Sequence, residues 1–597
     1  MRLHRLTDAV LQPLYSVVEE SEAVAFLLDA ELSRRMLLLR AILDAIGGSG
    51  VRPEDAEETR RAWCLLESAE RRAPAAFREV LLDPQSGVWA ASLLRRLSRP
   101  SPAATEGEAP LRVELGFLAQ LAATVFVTAG IDFRTPVPLR DGRVFLPGLG
   151  RATFGGDPWG TAEVWGRDGL VRIAAGGVTV TLPDATETDA PGWEGQRQLR
   201  AEHKGAVLAL AVDDLGPYAP VPELGAPARL SEARFGSWQR WFEGMWCVLV
   251  EDHTDRARAL ATGLRSLVPL PPGERLRARA ASSSDAFGAL LLSEPDEDAD
   301  VVAAQLGVAV LHELRHTLLN GLLFLAPLFD DCDQAFYAPW RDDPRTLGGL
   351  THGVYAFSGV ARFWRAHGPE GLAGFEFALW RGAVRTALET LRGHPALTPP
   401  GHALIGSLEE QTEGWSREPV GERERRLAHL ATVHHRATWR AHHLRVPAAY
   451  AGELADAWRA GRPADTASEP EPTLRADPSA RRLDTLALLA RLRIVAPGEF
   501  DALHAAADPG RRIPGVVPAD LALVDGDAAT ALKLYADELA GPGARPAAWA
   551  GLGLALAECG EPGAAAALTE RPEVALAVAG SSPARPDPVA LARWLAR

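Results

Sequence analysis

Apolar residues recur along this chain first at helical spacing, then at strand spacing, then at helical spacing again. From Leu3 to about Phe126 they fall three and four apart, in LLDAELSRRMLLLRAILDAI, around Trp63 to Leu66 and in VWAASLLRRL, with Pro53 and Pro74 as punctuation. That spacing predicts a helical layer over 1–130. From about Asp132 to Tyr218 the period drops to two. VRIAA and VTVTL alternate on either side of Gly176-Gly177, which predicts a two-residue hairpin. RVFLPGLG, TAEVWGRDG and AVLALAVDD read as further strands of a small antiparallel sheet over 131–220. Asp213 and Asp214 read as a solvated corner before a Gly-Pro turn. Helical spacing returns over Leu230 to Val268, VPLPPGE breaks it, and Ala286 to Ser293 reads as a short buried strand.

The segment from Val301 to Phe329, VVAAQLGVAVLHELRHTLLNGLLFLAPLF, is apolar nearly all round and predicts a buried helix. The acidic run from Glu294 to Asp300 precedes it, where the helix dipole favours negative charge. In its middle stand His312, Glu313, Arg315 and His316, an H-E-x-x-H pattern. Residues four apart share a helix face, so both imidazoles point one way and can chelate a divalent metal, with Glu313 beside its open side. The bland alternatives are a chance pattern, a membrane span, or two core histidines. Four ionisable side chains at mid-span argue against lipid.

Beyond this helix, Pro339, Pro344 and Gly348-Gly349 predict a loop, and His352 to Trp364 a second helix. Further helices run through FEFALWRGAVRTALETL and ERRLAHLATVHHRATWRAHHLRV. On the latter, the doubled histidines His434/His435 and His442/His443 read as a solvated face. A catalytic region of 131–460, with the metal site in 282–395, thus precedes a polar, Pro-rich linker over 461–481 and a helical module over 482–597. GDAATALKLY and GEPGAAAAL, from Gly526 and Gly560, lie 34 residues apart (560 − 526). Trp549, Leu552 and Gly553, with Ala531, Tyr535 and Ala565, fit tetratricopeptide spacing, so the module looks TPR-like. Gly551-x-Gly553 lies inside a helix and is no dinucleotide fingerprint. The expected fold class is α+β, predominantly α-helical, with a zincin-like HExxH helix core.

Composition narrows the partners. With 63 basic against 78 acidic side chains and a net charge of −15, there is no electrostatic case for nucleic acid or an anionic membrane. The lysines are Lys204 and Lys533, and arginine supplies the other fixed positive charge. Cys64, Cys247, Cys332 and Cys559 form no C-x-x-C pair and read as free thiols in a reducing compartment. The first residues lack an unbroken apolar h-region, so the expected location is cytoplasmic.

Two histidines do not complete a metal site. His352 is the best-placed third donor, Asp343 the carboxylate alternative, and Glu376 stands behind it. On zinc, such a set would make a peptidase with Glu313 as general base. On Fe(II), it would leave positions for 2-oxoglutarate and dioxygen. The oxygenase also needs a cation for the distal carboxylate of 2-oxoglutarate, and Arg341, Arg345 and Arg315 are candidates. The residues alone leave both chemistries open.

HELRH, YAPWRDDPR, GGLTHGVYAF and GVARFW in succession, preceded by SSSDAFGALLLS, resemble the HExxH-motif proteins of bacterial peptide natural-product clusters, the αKG-HExxH peptide β-hydroxylases. The likeness runs from LSRRMLLLRAILD to Arg462–Pro463. It implies a non-haem Fe(II), 2-oxoglutarate-dependent enzyme that hydroxylates a β-carbon in a ribosomally made precursor peptide. By position, His312 and His316 would bind iron, and His352 would complete or neighbour the site. Arg345 would lead the 2-oxoglutarate clamp, with Arg341 and Tyr355 as further cofactor contacts. The family's triad of two histidines and a carboxylate keeps Asp343, Glu376 and Glu313 in play. The chain carries no radical SAM cysteine cluster, so a radical SAM/SPASM maturase would be a separate partner. A non-catalytic scaffold for such a maturase is the non-enzyme alternative.

Overall fold

The computed structural model describes residues 4–47, 51–99, 108–224, 228–273, 279–295, 302–464, 469–582 and 584–597. It is a mixed α+β structure, mainly helical, with helix over about 58% of its residues. The chain divides into two compact units, Met1–Leu14 with Val18–Ala326, and Tyr15–Val17 with Pro327–Arg597. The division at Ala326 falls inside the stretch read from sequence as one catalytic region.

The first unit opens with helices, the longest being Ser21–Ala45 and Pro53–Arg72. Leu111–Thr128 is the one described stretch apolar and long enough to cross a membrane, and 67% of it is buried in the protein. It is not one rod. It bends at Gly116, where a Cβ would stand 2.6 Å from Pro138 Cγ. Two antiparallel sheets follow. Phe133–Pro138, Thr161–Arg167, Leu170–Ala175 and Val178–Thr181 form one, and Arg143–Leu146, Gly150–Thr153 and Trp193–Gly195 the other. Ala175 pairs with Val178 across Gly176 and Gly177, whose φ values of 56° and 80° need glycine; the expected tight hairpin is there.

The third sheet departs from expectation. Its order is Ala280–Ala281, Ala289–Ser293, Ser266–Leu270, Ala206–Val212, Gln198–His203, and its three middle strands run parallel. AVLALAVDD therefore joins a mixed sheet. Parallel neighbours need a crossover, which helices Glu232–Asp252 and Thr254–Gly263 supply. Ser266–Leu270 and Ala289–Ser293 are buried at every position, as strands covered on both faces are. VPLPP was expected to be a plain break, yet Pro269 lies in a central strand. The pairing with Ala206–Val212 ends at Leu267, so proline's missing N–H falls beyond that ladder.

The Asp213/Asp214 corner is buried, at 2% and 1% exposure, and not solvated. Asp213 accepts from Gln85 Nε2 at 2.7 Å and Gly216 N at 3.2 Å. Asp214 accepts from Arg197 and Arg229 at 2.9 and 3.1 Å. Burial, with the charge of Asp83, pushes Asp213 up to about 7. These carboxylates tie loops together.

In the second unit, helix Glu422–His443 is the hub, packed by Gly371–Leu391, Thr485–Val495 and Pro546–Glu558. His434, His435 and His443 are buried, against the expected solvated face. His443 Nε2 donates to the Asp342 carbonyl at 2.7 Å and its Nδ1 accepts from Asp477 N at 3.0 Å. The expected linker is laced back at its described residues: Thr473–Leu474 pairs with Leu444–Arg445, and Arg475 N donates to the His443 carbonyl at 2.7 Å. The terminal helices form close hairpins seated on glycine. A Cβ at Gly551 would stand 2.2 Å from the Tyr535 ring, and one at Gly553 2.8 Å from Thr569 Cγ2.

Burial, reinforced by Arg545, holds His434 down to about 3, against 6.5 for a free imidazole. A base depressed on folding stabilises the fold fully above pH 6.5 and loses that contribution as pH falls towards 3, by about 1.4 kcal/mol per pH unit. Urea melts from pH 8 to pH 4 should therefore show a shallower loss of stability for His434→Leu than for the wild type. Equal slopes would show that this ring does not titrate as its burial requires.

Candidate metal centre

The motif helix is Val302–Leu323; of the acidic run before it, residues 296–301 lie outside the described residues. The helix packs on Glu232–Asp252 and on Ser21–Ala45. Its close seats are glycines. A Cβ at Gly263 would lie 2.8 Å from Val24 and 3.3 Å from Leu314, and one at Gly321 3.0 Å from the Phe287 ring. Glu313, Leu314 and Arg315 are buried, while His312, His316 and Asn320 form a half-exposed stripe. The histidines thus stand on the part-buried face of the helix.

Their Nε2 atoms lie 3.1 Å apart, and their rings are inclined at 81° with centroids 4.7 Å apart. Two imidazoles binding one ion at about 2.1 Å each would leave their nitrogens about 3 Å apart at a right angle, so the pair fits a shared divalent ion. Burial, and the neighbouring Arg315 guanidinium, hold His312 down to about 4. It is therefore neutral at pH 7, the form that binds metal. Glu313 is pushed up to about 7 by burial, against the pull of a hydrogen bond from Ser282. Its Oε2 meets no hydrogen-bond partner among the described residues.

Arg315, one of the clamp candidates, is buried in an ion network. Its Nη1 donates to Glu19 Oε1 at 3.1 Å, and Glu19 also accepts from Arg256 at 2.7 and 3.2 Å. It is an anchor of the motif helix. Glu19 and Ser282 were invisible as partners in sequence, because each lies far along the chain from the helix it touches.

The remaining expected site residues belong to the second unit. The loop before helix Leu347–Ala366 brings Arg341, Asp343 and Arg345 together: Arg341 Nε and Arg345 Nη1 donate to Asp343 at 3.0 and 3.1 Å. Burial would raise Asp343, but these two guanidinium groups outweigh it and hold the carboxyl below its usual range. His352 is the sixth residue of that helix, half-buried, and burial plus Arg345 hold it down to about 4. Tyr355 is buried at 2% exposure. The glycines of GGLTHGVYAF are seats for rings. A Cβ at Gly348 would lie 2.8 Å from Phe329, and one at Gly353 2.2 Å from Trp340, which stacks on Phe357 at 4.8 Å. Glu376 is committed elsewhere, accepting from Arg491 at 2.5 and 3.1 Å and from Trp380 Nε1 at 2.6 Å. Among the described residues no three His, Cys, Asp or Glu side chains stand together at metal-binding spacing. The structure thus joins His312 with His316, and Asp343 with both arginines, and removes Arg315 and Glu376 from the accessible donors. No family model and no curated protein matches the chain.

Glu19→Gln should destabilise the first unit by about 3 kcal/mol, because it removes the carboxylate charge that two buried guanidinium groups share. A urea melt reads this directly. A loss under about 0.5 kcal/mol would refute the anchoring role.

Proposed function

We propose that the chain is a metal-dependent enzyme whose ion is held by His312 and His316, and that it acts as an Fe(II)- and 2-oxoglutarate-dependent hydroxylase on the β-carbon of a residue in a ribosomally made precursor peptide. The observation that supports metal binding is the 3.1 Å approach of two Nε2 atoms on one half-exposed helix face. When bound, Fe(II) with 2-oxoglutarate and dioxygen supplies the oxidising power to hydroxylate an unactivated carbon. The choice of this chemistry rests on the run of motifs from HELRH to GVARFW.

The chain's own residues have definable tasks in this reading. Neutral His312 donates a nitrogen lone pair without first losing a proton, and His316 supplies the second nitrogen beside it. Arg345 remains the leading grip for 2-oxoglutarate, with Arg341 and Tyr355 beside it in the motif string. Its present partner, Asp343, is itself a carboxylate, the group such a ligand presents. His352 and Asp343 are the candidates for the third donor; Glu376 is taken by Arg491. The zincin-like helix core, the TPR-like character of the last helices and a cytoplasmic location belong to the same proposal. The four free thiols support the last.

A zinc peptidase is the second reading, and Glu313 is the observation that favours it. A buried carboxyl raised to about 7, with one oxygen lacking a donor among the described residues, has the proton affinity of a general base working near neutrality.

Anaerobic titration with Fe(II) should show one ion per chain, and His312→Ala or His316→Ala should weaken it at least about 100-fold. The same titration on His352→Ala and Asp343→Ala tests each as a third donor. With precursor peptide, 2-oxoglutarate and air, the hydroxylase releases succinate and the peptide gains one oxygen. A shortened peptide without succinate would replace this reading with the peptidase. Unchanged metal affinity in both histidine variants would overturn the metal centre itself.

A further inference from the structure

A second set of reactive side chains lies on the first unit, at the other edge of the mixed sheet. Strand Gln198–His203 is the last in that sheet, and Ser282, the partner of Glu313, follows the strand at the opposite edge. Four strand spacings, about 19 Å, separate the two edges. Helix Glu232–Asp252 covers the His203 edge. There Cys247 Sγ lies 3.5 Å from His203 Nδ1, and His203 Nε2 lies 3.0 Å from Glu251 Oε1. Glu251 is four residues past Cys247, one turn further along the same helix.

The order of contacts assigns the roles. Glu251 is held below the usual carboxylate range by hydrogen bonds from Lys204 and His203, so it stays ionised and can only accept. Its contact keeps the His203 proton on Nε2, which leaves Nδ1 as the acceptor facing the thiol. A sulfur nucleophile, a base in reach and a third group orienting that base are the parts of an activated thiol. The frame is rigid. Trp246 Nε1 donates to the Ala206 carbonyl at 2.9 Å, and Gln239 Nε2 donates to the Arg200 carbonyl at 2.6 Å while its Oε1 accepts from Arg200 N at 3.2 Å. These bonds zip the helix to the strand on either side of the thiol. No backbone N–H within the helix is left over for an oxyanion, since Cys247 sits mid-helix, so acyl transfer is not favoured.

We propose that Cys247 is a peroxide-reactive thiol, with His203 as its base and Glu251 as the residue that positions His203. The sulfur attacks one oxygen of hydrogen peroxide as its proton passes to His203 Nδ1. The O–O bond breaks, and the departing hydroxide takes that proton back to form water. Cysteine is oxidised to sulfenic acid and peroxide is reduced. A low-molecular-weight thiol then forms a mixed disulfide with loss of a second water.

Two of the other cysteines are internal controls. Cys64 and Cys559 are exposed, whereas Cys247 is half-buried, so exposure alone ranks Cys247 behind them. The full chain is treated at pH 7 with hydrogen peroxide and a dimedone trap, and each cysteine is followed by peptide mass spectrometry. Cys247 should label at least about tenfold faster than Cys64 or Cys559. His203→Gln should bring it to their rate or below, and Glu251→Gln should slow it by less. Urea melts of the variants that match the wild type show that the fold is intact. Should a variant fail to fold, the ranking within the wild type stands alone as the test. Cys247 labelling no faster than the exposed thiols, or at an undiminished rate in His203→Gln, would overturn the proposal.

Discussion

Two imidazoles a helical turn apart stand at a 3.1 Å nitrogen separation on a helix anchored through its other faces. The helix is fixed by contacts on its far side. Glycine seats at 263 and 321 let neighbouring side chains come within contact of it, and Arg315 ties it to Glu19 in a buried network shared with Arg256. A buried ion network is a poor source of net stability, but it penalises any register that breaks it. That is the property a ligand-bearing helix requires, because a turn of a few tens of degrees would part the two rings.

Buried charge is used in the same way elsewhere in both units. Asp214 gathers Arg197 and Arg229, Glu376 gathers Arg491 and Trp380, and His443 bridges the Asp342 carbonyl and Asp477 N. With 63 basic and 78 acidic side chains, the chain has charge to spare for such joints. Residues that look chemically tempting in the sequence are therefore often structural, and the accessible ones are fewer: His312, His316, the Asp343 cluster and the Cys247 chain.

What could be read from sequence was local. Four-residue spacing placed His312 and His316 on one face, and Gly176-Gly177 marked its hairpin, because helix pitch and left-handed φ are properties of neighbouring residues. The misreadings share the opposite cause. Pro269 looked like a break because the ladder that ends before it belongs to a strand more than fifty residues earlier. His434 and His443 looked solvated because the segments that bury them lie elsewhere in the chain, and polar side chains on a helix otherwise face water. Arg315 looked available because Glu19 lies 296 residues away. In the same way, nothing in the spacing of Cys247 and His203, 44 residues apart, announces that they touch.

X-ray absorption on the anaerobic, Fe(II)-loaded protein tests the central claim most directly, since imidazole rings give a multiple-scattering pattern that can be counted. The account predicts at least two imidazoles on the metal in the wild type and one fewer in His312→Ala. A spectrum without imidazole scattering, or one identical in the two proteins, would contradict it.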